Sequence, residues 1–97
     1  MKQRASYQLF ADIPPFLRRH DLACRQPGVD PAAFFPAADG SPERQRRAEQ
    51  AAAGICAGCP AVDECAAWAL ATCQDHGVWG GLTPADRQRI RARRAAA

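Results

Sequence analysis

Four cysteines, Cys24, Cys56, Cys59 and Cys65, in the spacing C-x31-C-x2-C-x5-C constrain the fold of this 97-residue chain more than any other feature. The chain has little else to fold around. Its apolar fraction is 47%, but twenty-two of those residues are alanine and five are cysteine. Only nineteen are Val, Ile, Leu, Met, Phe, Trp or Tyr. A single domain with so thin a core needs disulfides, a metal or a partner. Four thiolates fill the protein side of either a zinc ion or an iron–sulfur cluster.

The setting of the cysteines favours metal over disulfides. The start Met1-Lys2-Gln3-Arg4 leads into no long apolar run, so neither a signal peptide nor a membrane span is expected. A cytoplasmic location follows as the default, and thiols there are kept reduced. Five cysteines would also leave one thiol over in a pure disulfide framework. The Cys56-Ala57-Gly58-Cys59-Pro60 turn aims two sulfurs at one place, and Cys65 follows in the first part of the next helix. Cys24 then closes a long loop, which restricts the unfolded chain. Zinc ribbons carry two paired knuckles. Here there is one knuckle with two isolated cysteines, and His20 and His76 make no second pair, which favours a cluster while leaving zinc open. Cys73 reads as a small half-buried helix residue rather than a ligand.

Helix signals dominate the rest of the chain, and no strand or repeat is evident. Residues 1–15 read as a loosely ordered lead-in, 16–82 as the metal-binding domain, and 83–97 as a basic helix and tail. A short helix is expected over Phe16–Ala23, and a single turn after Asp30-Pro31. Ser41-Pro42-Glu43 starts a longer helix, with Ser41 as cap, running to about Ala53 and stopped by Gly54. Another is expected from Pro60 or Ala61 to about Asp75, with Cys65, Trp68, Ala69 and Thr72 on one face. Thr83-Pro84 opens the last. The fold class is therefore all-α, a small bundle of about four short helices.

Two further features point to partners. Gly77-Val78-Trp79-Gly80-Gly81 holds a tryptophan between glycines. It is either a turn folded onto its own core or an exposed aromatic anchor of the kind enriched at interfaces. Phe34 and Phe35 are adjacent, so one points inward if the other points out. After Gly81 come five arginines, Arg87, Arg89, Arg91, Arg93 and Arg94, against the single acid Asp86. The null expectation is a solvated face, but positive charge around the whole helix favours phosphate contact over solvation alone. The chain has no Ser-His-Asp set, no phosphate-cradling glycine loop and no paired catalytic carboxylates, so it is not expected to be an enzyme. The alternative is a protein thiol–disulfide oxidoreductase using Cys56 and Cys59, although the βαβ pattern of thioredoxin-like folds is missing. A zinc-stabilised DNA-binding module is a third reading.

Taken in order, Cys24, Phe34-Phe35-Pro36, Cys56-x-x-Cys59-Pro60, Cys65, Trp68-Ala69-Leu70, Gly77-Val78-Trp79-Gly80-Gly81 and a basic helix resemble the WhiB-like family of actinobacteria. The resemblance covers about Phe16 to Arg94. It implies a [4Fe–4S] cluster on Cys24, Cys56, Cys59 and Cys65, with an all-helical fold wrapped around it. It implies transcriptional regulation through the C-terminal domain (region 4) of the primary σ factor of RNA polymerase, contacted by Trp79, Gly80 and the nearby aromatics Phe34, Phe35 and Phe16. It implies promoter DNA as a further partner, reached here by the arginine helix, and reactivity of the cluster with oxygen and nitric oxide. The chain departs from the family pattern in two places. No tryptophan precedes the first cysteine, where Phe16 stands as the available aromatic, and the tail lacks an Arg-Gly-Arg hook.

Overall fold

The computed structural model describes residues 13–38 and 40–97. Most of the expected lead-in, residues 1–12, lies outside them. The described residues form three α-helices and three short 3₁₀ turns, with no strand. The all-α expectation is met. The α-helices are α1 (Pro42–Cys56), α2 (Val62–Ala71) and α3 (Pro84–Ala96), and the 3₁₀ turns are Pro15–Arg18, Ala23–Arg25 and Pro31–Phe34.

Helix α1 starts as its sequence dictates: the Ser41 hydroxyl accepts from Arg44 N at 3.1 Å, with Pro42 at the first helical position. It runs past Gly54 to Cys56, so the expected stop at Gly54 does not occur. One glycine in a helix costs only about 1 kcal/mol. Continuing the helix buries Cys56 against Ala52, Phe34 and Val78. Helix α2 is shorter than expected and ends at Ala71. Cys73 N donates to Leu70 O and Gln74 N to Ala69 O, which closes the helix end with Cys73 in the left-handed region at φ 54°. Cys73 is therefore an exposed residue beyond the helix, not a half-buried one within it.

The helix expected over Phe16–Ala23 is replaced by two 3₁₀ turns, with extended backbone at Arg19 and Leu22 between them. So short a helix is marginal on its own. The broken path instead buries both Phe16 and Leu22, against Ala61 and Trp68. The turn after Asp30 forms as expected, with the Asp30 carboxylate accepting from Ala32 N at 3.0 Å. Helix α1 packs on the second and third 3₁₀ turns, and α2 on the first.

Two small apolar clusters make the core, and cysteines belong to both. Phe34, Ala52, Cys56 and Val78 form one. Phe16, Leu22 and Ala61 form the other, with Cys59 and Cys65 against it, and Cys24 touches both. The cysteines thus occupy the place where a larger domain would put leucines. Among the described residues, no helix is long and apolar enough to cross a membrane.

Candidate metal centre

Each cysteine arrives on a different local structure. Cys24 sits on the second 3₁₀ turn, Cys56 ends α1, Cys59 lies in the connecting turn and Cys65 in the first turn of α2. The connection is tight, with Cys59 N donating to Cys56 O at 2.9 Å. The distant Cys24 segment is drawn in by Ala23 N, which donates to Cys59 Sγ at 3.4 Å. All four cysteines line one cavity of about 770 Å³, walled by Phe16, Leu22, Phe34 and Val78 among others, while Cys73 lies outside it. Among the described residues, no three Cys, His, Asp or Glu side chains are grouped closely enough to hold a single metal ion. The four thiols share the lining of this one cavity. An all-cysteine set lining a mostly apolar cavity has the donor chemistry of an iron–sulfur cluster.

Burial raises the pKa of the Cys56 and Cys65 thiols, the latter to about 11, and the neighbouring cysteines push both in the same direction. Backbone amides of the tryptophan turn oppose the rise: Gly81 N–H acts on the Cys56 sulfur and Gly80 N–H on the Cys65 sulfur. The turn also lies against Cys56 by geometry, since a methyl group on Gly81 would come within 3.8 Å of the Cys56 Cβ.

Gly80 takes φ 57°, and a methyl group added there would overlap backbone atoms of α2, lying 2.6 Å from Val62 O. Only glycine lets the turn come this close to the helix that carries Cys65. A methyl group on Gly77 (φ 83°) would lie 2.5 Å from the Phe35 ring. The first function of Gly80 is thus close approach within the chain. Trp79 pairs with Leu82 through both backbone groups in a single antiparallel bridge, and its indole Nε1 donates to His76 O at 2.9 Å.

The aromatic residues separate into inner and outer members. Phe16 and Phe34 are buried, at 4% and 5% exposure, so neither offers the partner-contact surface expected of it. Each fills one of the two core clusters instead. Phe35 is 53% exposed and meets half-buried Trp79 edge to face, with centroids 5.9 Å apart. Trp68 lies between the two groups, 5.2 Å from Trp79 and 6.3 Å from Phe16. Neither its helix-face spacing nor its place in the family motif signals this support of Trp79.

The arginine helix needs one correction. Arg87 is fully buried and is removed from the expected DNA-contact set. Its guanidinium donates to three backbone carbonyls of the segment before α3 and has no free face for phosphate. Arg89, Arg93 and Arg94 are exposed, although Arg89 pairs with Asp86. Arg91 is half-buried, with Nη1 enclosed.

Comparison with known proteins places the chain in a family. The family described as "Transcription factor WhiB" matches residues 19–90. "Transcriptional regulator WhiB1" of Mycobacterium tuberculosis is 40% identical over 77 residues, covering 79% of this chain and 87% of that protein. "Transcriptional regulator WhiD" of Streptomyces coelicolor is 44% identical over 72 residues, covering 73% and 62%. "Transcriptional regulator WhiB1" of Bifidobacterium longum is 39% identical over 75 residues, covering 77% of each. The stretch matched by the family runs from just before Cys24, through the tryptophan turn, into α3, and the chain belongs to the WhiB family of transcription factors.

Proposed function

We propose that this chain is an iron–sulfur-dependent transcriptional regulator that binds region 4 of the primary σ factor and contacts promoter DNA. The observation that carries the reading is the seating of the tryptophan turn on the cysteine set, through Gly80 and Gly81. Cys24, Cys56, Cys59 and Cys65 would hold a [4Fe–4S] cluster. When bound, the cluster supplies reactivity towards oxygen and nitric oxide, and so a redox or nitric oxide signal. Phe16, Leu22, Phe34 and Val78 wall the cavity and keep water from its inner side. Gly81 packed against Cys56, and Gly80 against the start of α2, tie the position of the turn to the cysteine-bearing segments. Trp79 and Phe35 form the outward aromatic pair that meets the σ factor. Arg89, Arg93 and Arg94, with Arg91 beside them, add phosphate contacts that supply affinity and salt dependence rather than base reading. A cytoplasmic location goes with these partners.

The thiol–disulfide oxidoreductase reading fits less well. A nucleophilic cysteine needs a lowered pKa, and burial moves Cys56 the other way. Anaerobic co-expression with the σ C-terminal domain tests the proposal. A stable complex is expected from the wild type, and Trp79→Ala should weaken it many-fold, to a residual affinity that can still be measured. A complex of undiminished affinity with Trp79→Ala would remove the anchor role.

A further inference from the structure

Arg87 is a buried cation for which the reading above has no use. It is 0% exposed, and among the described residues none of its hydrogen bonds goes to a carboxylate. Burial lowers its pKa, yet a guanidinium keeps its charge in proteins. Burying a charge is costly unless it is paired or fully hydrogen-bonded. Here the hydrogen-bonded compensation comes from backbone carbonyls, with Asp86 and Asp75 adding attraction without a hydrogen bond. Nε donates to Gln74 O at 3.1 Å, Nη2 to His76 O at 3.2 Å and Nη1 to Leu82 O at 2.6 Å.

Those carbonyls lie on both sides of the tryptophan turn, and two of them are already used by Trp79. His76 O accepts from the indole Nε1 as well as from Arg87, and Leu82 O accepts from Trp79 N as well as from Arg87. The guanidinium fork therefore closes the base of the turn at the same two atoms that fix the indole and its backbone. Among the described residues, no helix or 3₁₀ turn packs broadly on α3. Arg87 thus ties that helix to the turn through three hydrogen bonds. We propose that Arg87 is a positioning residue that holds Trp79 in its partner-facing pose and couples the turn to α3. The partner clause rests on the σ-factor reading above. Lysine cannot replace it, because a single ammonium lacks the planar fork that reaches three separated carbonyls.

The test uses the cluster-loaded full chain and the C-terminal domain of the primary σ factor. Arg87→Met and Arg87→Lys should each weaken binding by at least about tenfold. In a Trp79→Ala background the same changes should cost nothing more, since Arg87 acts through Trp79. Hydrogen exchange should quicken across residues 74–82 while α1 and α2 keep their protection. Losses that add in the double variants would overturn the proposal. So would a folded Arg87→Lys with unchanged affinity and unchanged exchange across 74–82. Loss of helicity in both variants overturns it too, because Arg87 would then hold the whole fold. A wild-type chain that fails to bind the σ domain defeats the σ-factor reading instead, and exchange across 74–82 then decides the role of Arg87 by itself.

Discussion

Gly80 shows how much one residue can carry. Its left-handed backbone and its approach to Val62 and Ala66 leave no room for a side chain. Gly80→Ala should cost roughly 2 kcal/mol or more, because both backbone strain and a clash with a helix backbone must be relieved. Chemical denaturation of the loaded protein measures this. Cys73 is the opposite case. It holds φ 54° at a helix end where glycine is the usual occupant, so Cys73→Gly should stabilise the fold by about 0.5–1 kcal/mol. Cys73→Ser should leave iron content unchanged, since this thiol lies outside the cavity lined by the other four. The four cavity cysteines could be picked out from their spacing alone. Arg87 could not, because in the sequence it is one arginine among five. One physical hint was present: Arg87 lies near the positive end of α3, where a cation is unfavourable without another reason to be there.

At the scale of elements, start signals were readable, while stops and tertiary choices were not. Helices α1 and α3 begin at Ser41 and Thr83 because capping chemistry is local. In α3 the cap is reciprocal: Thr83 Oγ1 accepts from Asp86 N at 3.1 Å and Asp86 Oδ2 accepts from Thr83 N at 3.0 Å. Thr83→Ala should therefore cost about 1 kcal/mol, seen as faster exchange in α3 with iron content unchanged. The segment from Pro15 to Arg25 misled because its course is set by where Phe16, Leu22 and Cys24 must go, not by helix propensity. The continuation of α1 past Gly54 has the same origin in the burial of Cys56. On the outer face of α3, Arg93→Gln and Arg94→Gln should each weaken DNA binding evenly across sequences. Each should also lower the slope of log affinity against log salt by about 1. A fluorescence titration at several salt concentrations checks both.

For the whole molecule, the cysteines stand at the meeting point of two apolar clusters that are each too small to hold a domain. The tryptophan turn packs on one side against Cys56 and the start of α2, through Gly81 and Gly80, and is tied on the other to α3, through Arg87. Removing the cluster should therefore loosen the turn before α1, whose cap and length are its own. The proposed function depends first on Cys24, Cys56, Cys59 and Cys65 together holding a [4Fe–4S] cluster. Iron and acid-labile sulfide analysis of anaerobically purified protein tests it most directly. The prediction is a brown protein with about four irons and about four sulfides per chain, lost on Cys→Ser change at any of the four and kept in Cys73→Ser. A colourless protein holding a single zinc would contradict it.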